Sequence, residues 1–276
     1  MNILITGGLG LIGRNLVSEL SKNNNLNIFL ISRKNKIENT NSNIKYIFHD
    51  LSKSLPIEKI PKKINIIIHL AAIAHNPNGN VMKTNCSITK NLVRAFTNQK
   101  VRFIFFSSVA VYGEANRKFP IKTTDYCKPY TSYGIGKLKD EIIVSSCFED
   151  YVILRVCPVI EGNEKDLLKR VYFPKTNIKY RSPYKRVYSF TSHVTIFNTI
   201  CDIINEDEIK KITINLKDSL NYTESDILNK YAGKEIKIPL LICEPMFFIL
   251  NLFSFLPKIY KINCLLTKML KNNTYE

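Results

Sequence analysis

Short apolar runs of strand length recur through the first ~155 residues: Asn2–Thr6, Asn27–Ile31, Ile44–Phe48, Ile64–Leu70, Arg102–Phe106 and Tyr151–Arg155. They are rich in β-branched and aromatic residues, which favour strands. They are near-continuous rather than alternating, the pattern of strands covered on both faces of a parallel sheet. Between them Ile12–Ser21, Asn80–Thr97 and Tyr133–Ser145 have helical spacing. Strand–helix alternation of this kind predicts an α/β fold built on a doubly wound parallel sheet.

After Arg155 the rhythm changes. Val194–Ile204 and Thr223–Ala232 read as helices, the second with Thr223 as its cap, and Ile212–Leu216 reads as a strand. We therefore expect a first domain over residues 1–160 and a smaller C-terminal domain over 161–276, with about 190–216 returning to pack on the sheet. Ligands of open α/β sheets bind at the carboxyl edge, where the second domain would sit. Near the end, Met246–Leu256 is an apolar stretch of 11 residues, short of the ~20 that cross a bilayer as a helix. A core helix of the small domain is the plain reading. The alternative is a helix lying on a membrane surface, assisted by Lys258, Lys261, Lys268 and Lys271.

Composition narrows the classes. With 45% hydrophobic and 23% charged residues the 276-residue chain has a globular balance, which argues against disorder, collagen-like repeats and coiled coils. Forty Lys and Arg against 23 Asp and Glu leave +17, a charge that calls for an anionic partner: nucleic acid, a membrane surface or a phosphorylated small molecule. The stretch Lys165–Arg186 holds eight basic residues and one acid, Asp166, interleaved with Tyr172, Phe173, Tyr180 and Tyr184. The seven cysteines include no C-x-x-C pair and the histidines no H-E-x-x-H, so we expect neither a disulfide framework nor a metal site, and reduced thiols in the cytoplasm. No basic region precedes the apolar run at Met1–Gly7, so a signal peptide is not expected.

Three motifs carry chemistry. Thr6-Gly7-Gly8-Leu9-Gly10-Leu11-Ile12-Gly13 follows a strand and opens a helix, the setting a dinucleotide fingerprint requires. Gly7 permits the tight turn, Gly10 lets the backbone approach a pyrophosphate, and Gly13 lets helix and strand close up. The helix start at Leu11 and Ile12 then offers free N–H groups to phosphate. Ser107-Ser108-Val109-Ala110-Val111-Tyr112-Gly113 puts hydroxyls at the carboxyl end of a strand. Tyr133-Gly134-Ile135-Gly136-Lys137 places Tyr and Lys on one helix face. A Tyr hydroxyl titrates near ~10, too high for a base at neutral pH, and a neighbouring ammonium favours its phenolate form.

Together these motifs resemble the extended short-chain dehydrogenases/reductases, which epimerise, dehydrate or reduce nucleotide sugars. T-G-x-x-G-x-x-G matches Thr6–Gly13, S-S-x-x-V-Y-G matches Ser107–Gly113, and Y-x-x-x-K matches Tyr133 and Lys137, 25 residues after Ser108. The resemblance is clear over about residues 1–160. It implies a Rossmann-like fold with a C-terminal substrate-binding domain, and catalysis by Ser108, Tyr133 and Lys137 with hydride carried by NAD(P). Tyr133 would exchange a proton with a sugar oxygen, Ser108 would bond the same oxygen, and Lys137 would hold the nicotinamide ribose. Leu70, Ala71 and Ala72, after His69, look like the stretch beside the cofactor. Asp50 and Leu51 look like the adenine site, and Asn85 holds the family's usual Asn position. Ser32 and Arg33 stand where NAD-preferring relatives carry an acid, so NADP is expected, with NAD as the alternative.

The resemblance further implies a nucleotide-diphosphate sugar as partner, its diphosphate received by the basic segment, with Arg181 and Arg186 as contacts beside Ser108. The expected reaction is reduction of a 4-keto group or epimerisation at C4, in surface polysaccharide synthesis. The apolar stretch from Lys237 to Leu241 onward looks like that of relatives acting on N-acetylated hexosamine nucleotides. His75 and His193 are less marked: a pocket-lining place is the lesser reading for the first, and a helix cap or surface position stands beside substrate contact for the second. Family members pair through helices such as Asn80–Thr97 and Tyr133–Ser145, which points to a homodimer. Two rivals remain: a non-catalytic NADP-sensing module of the same fold, which commonly loses the Tyr or Lys kept here, and a nucleic-acid binder, for which no recognised module is present.

Overall fold

The computed structural model describes residues 1–33, 41–73, 80–161, 171–173 and 176–276. His75, together with residues 165–170, Pro174 and Lys175 of the basic region, lies outside them. The chain folds into two compact units, each drawn from three segments.

The first unit takes residues 1–111, 131–156 and 193–214. Its strands are β1 (Asn2–Thr6), β2 (Asn27–Ser32), β3 (Ile44–Phe48), β4 (Ile66–His69), β5 (Arg102–Ser108) and β6 (Tyr151–Val156). They line up in the order β3-β2-β1-β4-β5-β6, with β9 (Ile212–Leu216) beyond β6. Every pairing from β3 through to β6 is parallel. Order reverses between β1 and β4, the switch point beside which α/β sheets bind ligands at their carboxyl ends. Its longer described helices are α1 (Leu11–Leu20), α2 (Val81–Phe96), α3 (Ser132–Cys147) and α4 (His193–Asn205). The near-continuous apolar strands are buried as their composition demands: Ile3, Leu4, Ile5, Ile67, Ile68, Phe103 and Ile104 are all sealed from solvent. Asn80 and Thr131 start α2 and α3, each accepting a backbone N–H three residues on, from Lys83 and Gly134.

The second unit takes residues 112–130, 157–192 and 215–276. Its segment 112–130 sits inside what the apolar pattern reads as one continuous first domain. Its described residues carry two small ladders, β8 (Val187–Tyr188) with β10 (Tyr222–Thr223), antiparallel, and β7 (Ile178–Arg181) with β11 (Lys234–Lys237), parallel. The helix expected over Thr223–Ala232 is only α5 (Glu224–Leu228), closed at its start by a reciprocal Thr223–Asp226 capping box. Two longer helices follow, α6 (Leu240–Leu252) and α7 (Pro257–Leu270).

The core-helix reading of the apolar C-terminal stretch holds for one face only. α6 runs through Pro245 and packs Cys243 and Phe247, with half-buried Met246, into the core, while Leu240, Leu241, Ile242, Phe248, Ile249 and Leu252 are exposed. A helix apolar all round can bury only the face that meets a partner. Among the described residues no helix is long and apolar enough to cross a membrane.

Candidate active site

The turn after β1 shows why its glycines are needed. Gly7 has φ +74°, and a Cβ there would lie 2.6 Å from the Ala71 nitrogen. Gly13 sits on the turn so closely that a Cβ would come within 2.3 Å of the Gly7 carbonyl oxygen. This fold of the chain opens a groove of about 330 Å³ along the carboxyl ends of β1, β2, β3 and β4. Gly7 and Gly10 line it with Ser32, Arg33, Asp50, Leu51 and the Leu70–Ala72 stretch. The groove thus gathers most of the residues expected to hold a dinucleotide, and α1 starts against it with Leu11 and Ile12. The Asp50 carboxyl is held below its usual range, first by the Ser52 N–H and hydroxyl and then by the field of Arg33.

Asn85 has a more definite place than its sequence position suggests. It is 2% exposed, accepts the Ile73 N–H at 2.8 Å and donates to the Ile73 carbonyl at 2.9 Å. It therefore pins the chain leaving β4, which forms one wall of the groove. Thr6 and His69 were not paired by sequence reasoning, although they are register partners on β1 and β4. Thr6 Oγ1 lies 2.6 Å from His69 Nδ1, and His69 Nε2 lies 3.1 Å from Thr89 Oγ1. Burial, with the nearby Lys137 charge, lowers the His69 pKa to about 3, so the ring is neutral and bridges two hydroxyls.

Ser108, Tyr133 and Lys137 come together at the next strand. Ser108 closes β5, and α3 lies across β5 carrying Tyr133 in its first turn. Tyr133 is hydrogen-bonded to Ser108, which favours its phenolate, but burial outweighs this and pushes the phenol up to about 12. Lys137 is 2% exposed, donates to the Phe106 carbonyl at 2.6 Å and has its ammonium 6.0 Å from the Tyr133 ring centre. Burial brings it down to about 8 against the opposing pull of Asp140 and Glu141. The three groups are thus assembled with the tyrosine a proton donor and the lysine still largely cationic at neutral pH.

Beneath them lies a second layer that no spacing announced. Glu141 on α3 accepts Arg155 Nη2 at 2.8 Å and Arg155 Nε at 3.1 Å, and it also takes the Ser107 hydroxyl. Ser107 and Arg155 are register partners on β5 and β6, a relation visible only once the strands are paired. One carboxyl oxygen of Asp140 is buried without a hydrogen-bond partner among the described residues.

The two arginines expected to grip a diphosphate are in the second unit. Arg186 is corrected to a structural role: it is fully buried, its guanidinium shared between Glu224 and the Met269 carbonyl and stacked near the Tyr180 and Tyr188 rings. A buried guanidinium with a carboxylate already on it cannot turn to a ligand without stranding Glu224. Arg181 is about one-third exposed and bonds Glu235 at 2.6 Å. His193 opens α4 on the surface, 3.1 Å from Asn15.

A dinucleotide fits this first unit by the shape of its own backbone: the positive-φ Gly7, the close approach of Gly13 and the groove they open leave room where any side chain would intrude. Known proteins agree. The profile of the NAD dependent epimerase/dehydratase family matches residues 3–170. GDP-6-deoxy-D-talose 4-dehydrogenase of Aggregatibacter actinomycetemcomitans is 28% identical over 165 residues, 56% of this chain and 52% of its own. UDP-glucose 4-epimerase of Vibrio cholerae is 30% identical over 149 residues, 51% of this chain and 45% of the epimerase. The chain spans about half the length of these curated relatives. UDP-glucuronic acid 4-epimerase of Bacillus cereus, solved with NAD, has the same fold, with TM-score 0.69 and 21% identity over 86% of this chain and 87% of the epimerase. With more than half of its length matched, from β1 past the Tyr133–Lys137 helix, the chain belongs to the NAD dependent epimerase/dehydratase family.

Proposed function

We propose that this protein is an NADP-dependent oxidoreductase acting at C4 of a nucleotide-activated sugar, as a 4-keto reductase or a 4-epimerase. The observation that carries the reading is the meeting of Ser108, Tyr133 and Lys137 at the end of β5, on the sheet whose β1–β4 edge carries the dinucleotide groove. The relatives named for 4-epimerisation and 4-dehydrogenation of nucleotide sugars support the substrate class. The bound cofactor would supply or accept the hydride; what the chain's own residues do is hold and move the proton. Tyr133, protonated at neutral pH, would donate to the C4 oxygen of a ketone, and Ser108 would bond that oxygen as charge gathers on it. Gly7, Gly10 and the first turn of α1 would hold the pyrophosphate, and Asp50 and Leu51 the adenine. Lys137 would bond the nicotinamide ribose, exchanging the Phe106 carbonyl for it.

The NADP preference rests on Ser32 and Arg33, which line the groove where an acid would repel a 2′-phosphate. For the sugar diphosphate, Arg181 stays in the proposal as a part-exposed guanidinium that would trade Glu235 for the ligand. The cytoplasmic setting, the homodimer and the link to surface polysaccharide belong to the same proposal and rest on the family resemblance. The test is incubation of the full chain with NADPH and 4-keto nucleotide sugars, read by cofactor oxidation, and with NADP+ and 4-hydroxy nucleotide sugars, read by inversion at C4. Cofactor binding without turnover on any of them would replace this reading with that of an NADP sensor.

A further inference from the structure

The second unit presents a surface that the oxidoreductase reading does not use. Of the 21 large apolar side chains exposed among the described residues, 11 lie between Leu240 and Leu265. On α6, Leu241, Phe248 and Leu252 are 85%, 70% and 60% exposed. Their i, i+7, i+11 spacing makes them one stripe, on a helix whose buried contacts come from Cys243 and Phe247. Phe255, in the turn before α7, is 73% exposed. An ordinary surface helix carries charge opposite its core face. α6 carries a single charge, Glu244, which accepts the Tyr184 hydroxyl at 2.9 Å.

Charge along this part of the chain is mainly of one sign. Residues 236–275 hold five lysines and one acid, Glu244. Lys237 is exposed just before α6, and Lys258 and Lys261 are exposed on the first turns of α7, beside Leu256 and Ile262. Lys271 lies with its ammonium 4.1 Å from the Phe247 ring centre, an apolar stem with a cationic tip. At 13 residues α6 is about 20 Å long, too short to cross ~30 Å of hydrocarbon but suited to lie in its boundary.

We propose that α6, the following turn and the start of α7 form a docking face for an anionic lipid surface, with Leu241, Phe248, Leu252 and Phe255 entering the acyl boundary and the lysines meeting the headgroups. An apolar stripe rimmed by cations is the complement of acyl chains rimmed by phosphates. A second copy of the chain is a poorer occupant, because a two-fold contact through this face would set lysines against lysines.

The test uses the full chain with vesicles of phosphatidylglycerol and phosphatidylcholine, and with phosphatidylcholine alone. The chain has no tryptophan, so Phe255→Trp gives a single reporter. Co-sedimentation with the anionic vesicles and a blue shift of that reporter are expected, both weakening as salt rises. Phe248→Glu with Leu252→Glu should reduce partition at least tenfold, since each buried apolar side chain is worth roughly that much. Lys258→Glu with Lys261→Glu should abolish the preference for anionic vesicles while NADP binding and the melting curve stay as in the parent. A parent that remains in the supernatant with an unshifted reporter overturns the proposal. So does a parent dimer, seen by sedimentation velocity without lipid, that Phe248→Glu with Leu252→Glu turns into monomer, since that assigns the face to a second copy.

Discussion

Tyr133 shows how one residue is prepared for proton transfer by its surroundings. Burial pushes its phenol up to about 12 even against the bond with Ser108, which works the other way. Replacing Tyr133 by Phe removes the transferable proton and little volume, so turnover should fall ~10²–10⁴-fold while fold and NADP affinity hold. Turnover within threefold of the parent would remove Tyr133 from the chemistry. Arg33 tests the cofactor at the same scale. It is exposed at the end of β2, where a fork of N–H donors can take a 2′-phosphate. Arg33→Ala should weaken NADP about tenfold or more and change NAD affinity less than threefold. Equal losses for the two cofactors in a fluorescence titration would mean that Arg33 meets the adenine or the pyrophosphate instead.

At the scale of elements, α3 matters because it carries Tyr133 and Lys137 and is fastened to the sheet below them. The fastening is Glu141, which takes Arg155 from β6 and the Ser107 hydroxyl from β5. Arg155 and Glu141 are 9% and 6% exposed, so removing one partner strands a buried charge. Glu141→Ala should therefore cost ~3–5 kcal/mol in urea unfolding. A loss below ~1 kcal/mol would show that water reaches the guanidinium. The same elements mark what sequence could disclose. The apolar runs located β1 and β3 to the residue: β1 is buried on both faces, and β3, at the edge of the sheet, is bounded by polar residues on either side. Tyr133 and Lys137 were legible as neighbours on one helix face, since i and i+4 meet there, but their joining with Ser108 came from the family resemblance. The Glu141–Arg155–Ser107 layer was not, because it depends on strand register rather than on local pattern. Arg186 misled for a related reason: a basic run implies solvent or a ligand, and only the packing of Glu224 against it shows a neutralised core pair. The apolar α6 stretch misled in the opposite sense, since hydrophobicity forecasts burial but not which partner supplies it.

For the whole molecule, the acid limb of stability should be set in part by His69, which links β1, β4 and α2 through Thr6 and Thr89. Its pKa is lowered from 6.5 to about 3, first by burial and then by the Lys137 charge. The sign follows from proton counts. Between about pH 6.5 and about 3 the unfolded chain holds a proton on this ring that the folded chain refuses. Acid therefore draws the equilibrium toward the unfolded state. The stabilisation is complete above pH 6.5 and is lost progressively as pH falls toward 3. Asp140 works the other way, because burial raises its carboxyl and its contribution is lost as pH rises through that raised value. The two groups are separable by substitution. His69→Gln keeps hydrogen-bonding atoms at the site and removes the titration. It should be less stable than the parent at pH 7.5, because two hydroxyls lose a matched partner. It should then lose less further stability on acidification, so that the two urea midpoints converge as pH falls from 7.5 to about 4.5. Parallel curves across that interval would mean that His69 takes up its proton over the same pH range folded as unfolded, and that the acid limb belongs to the carboxylates.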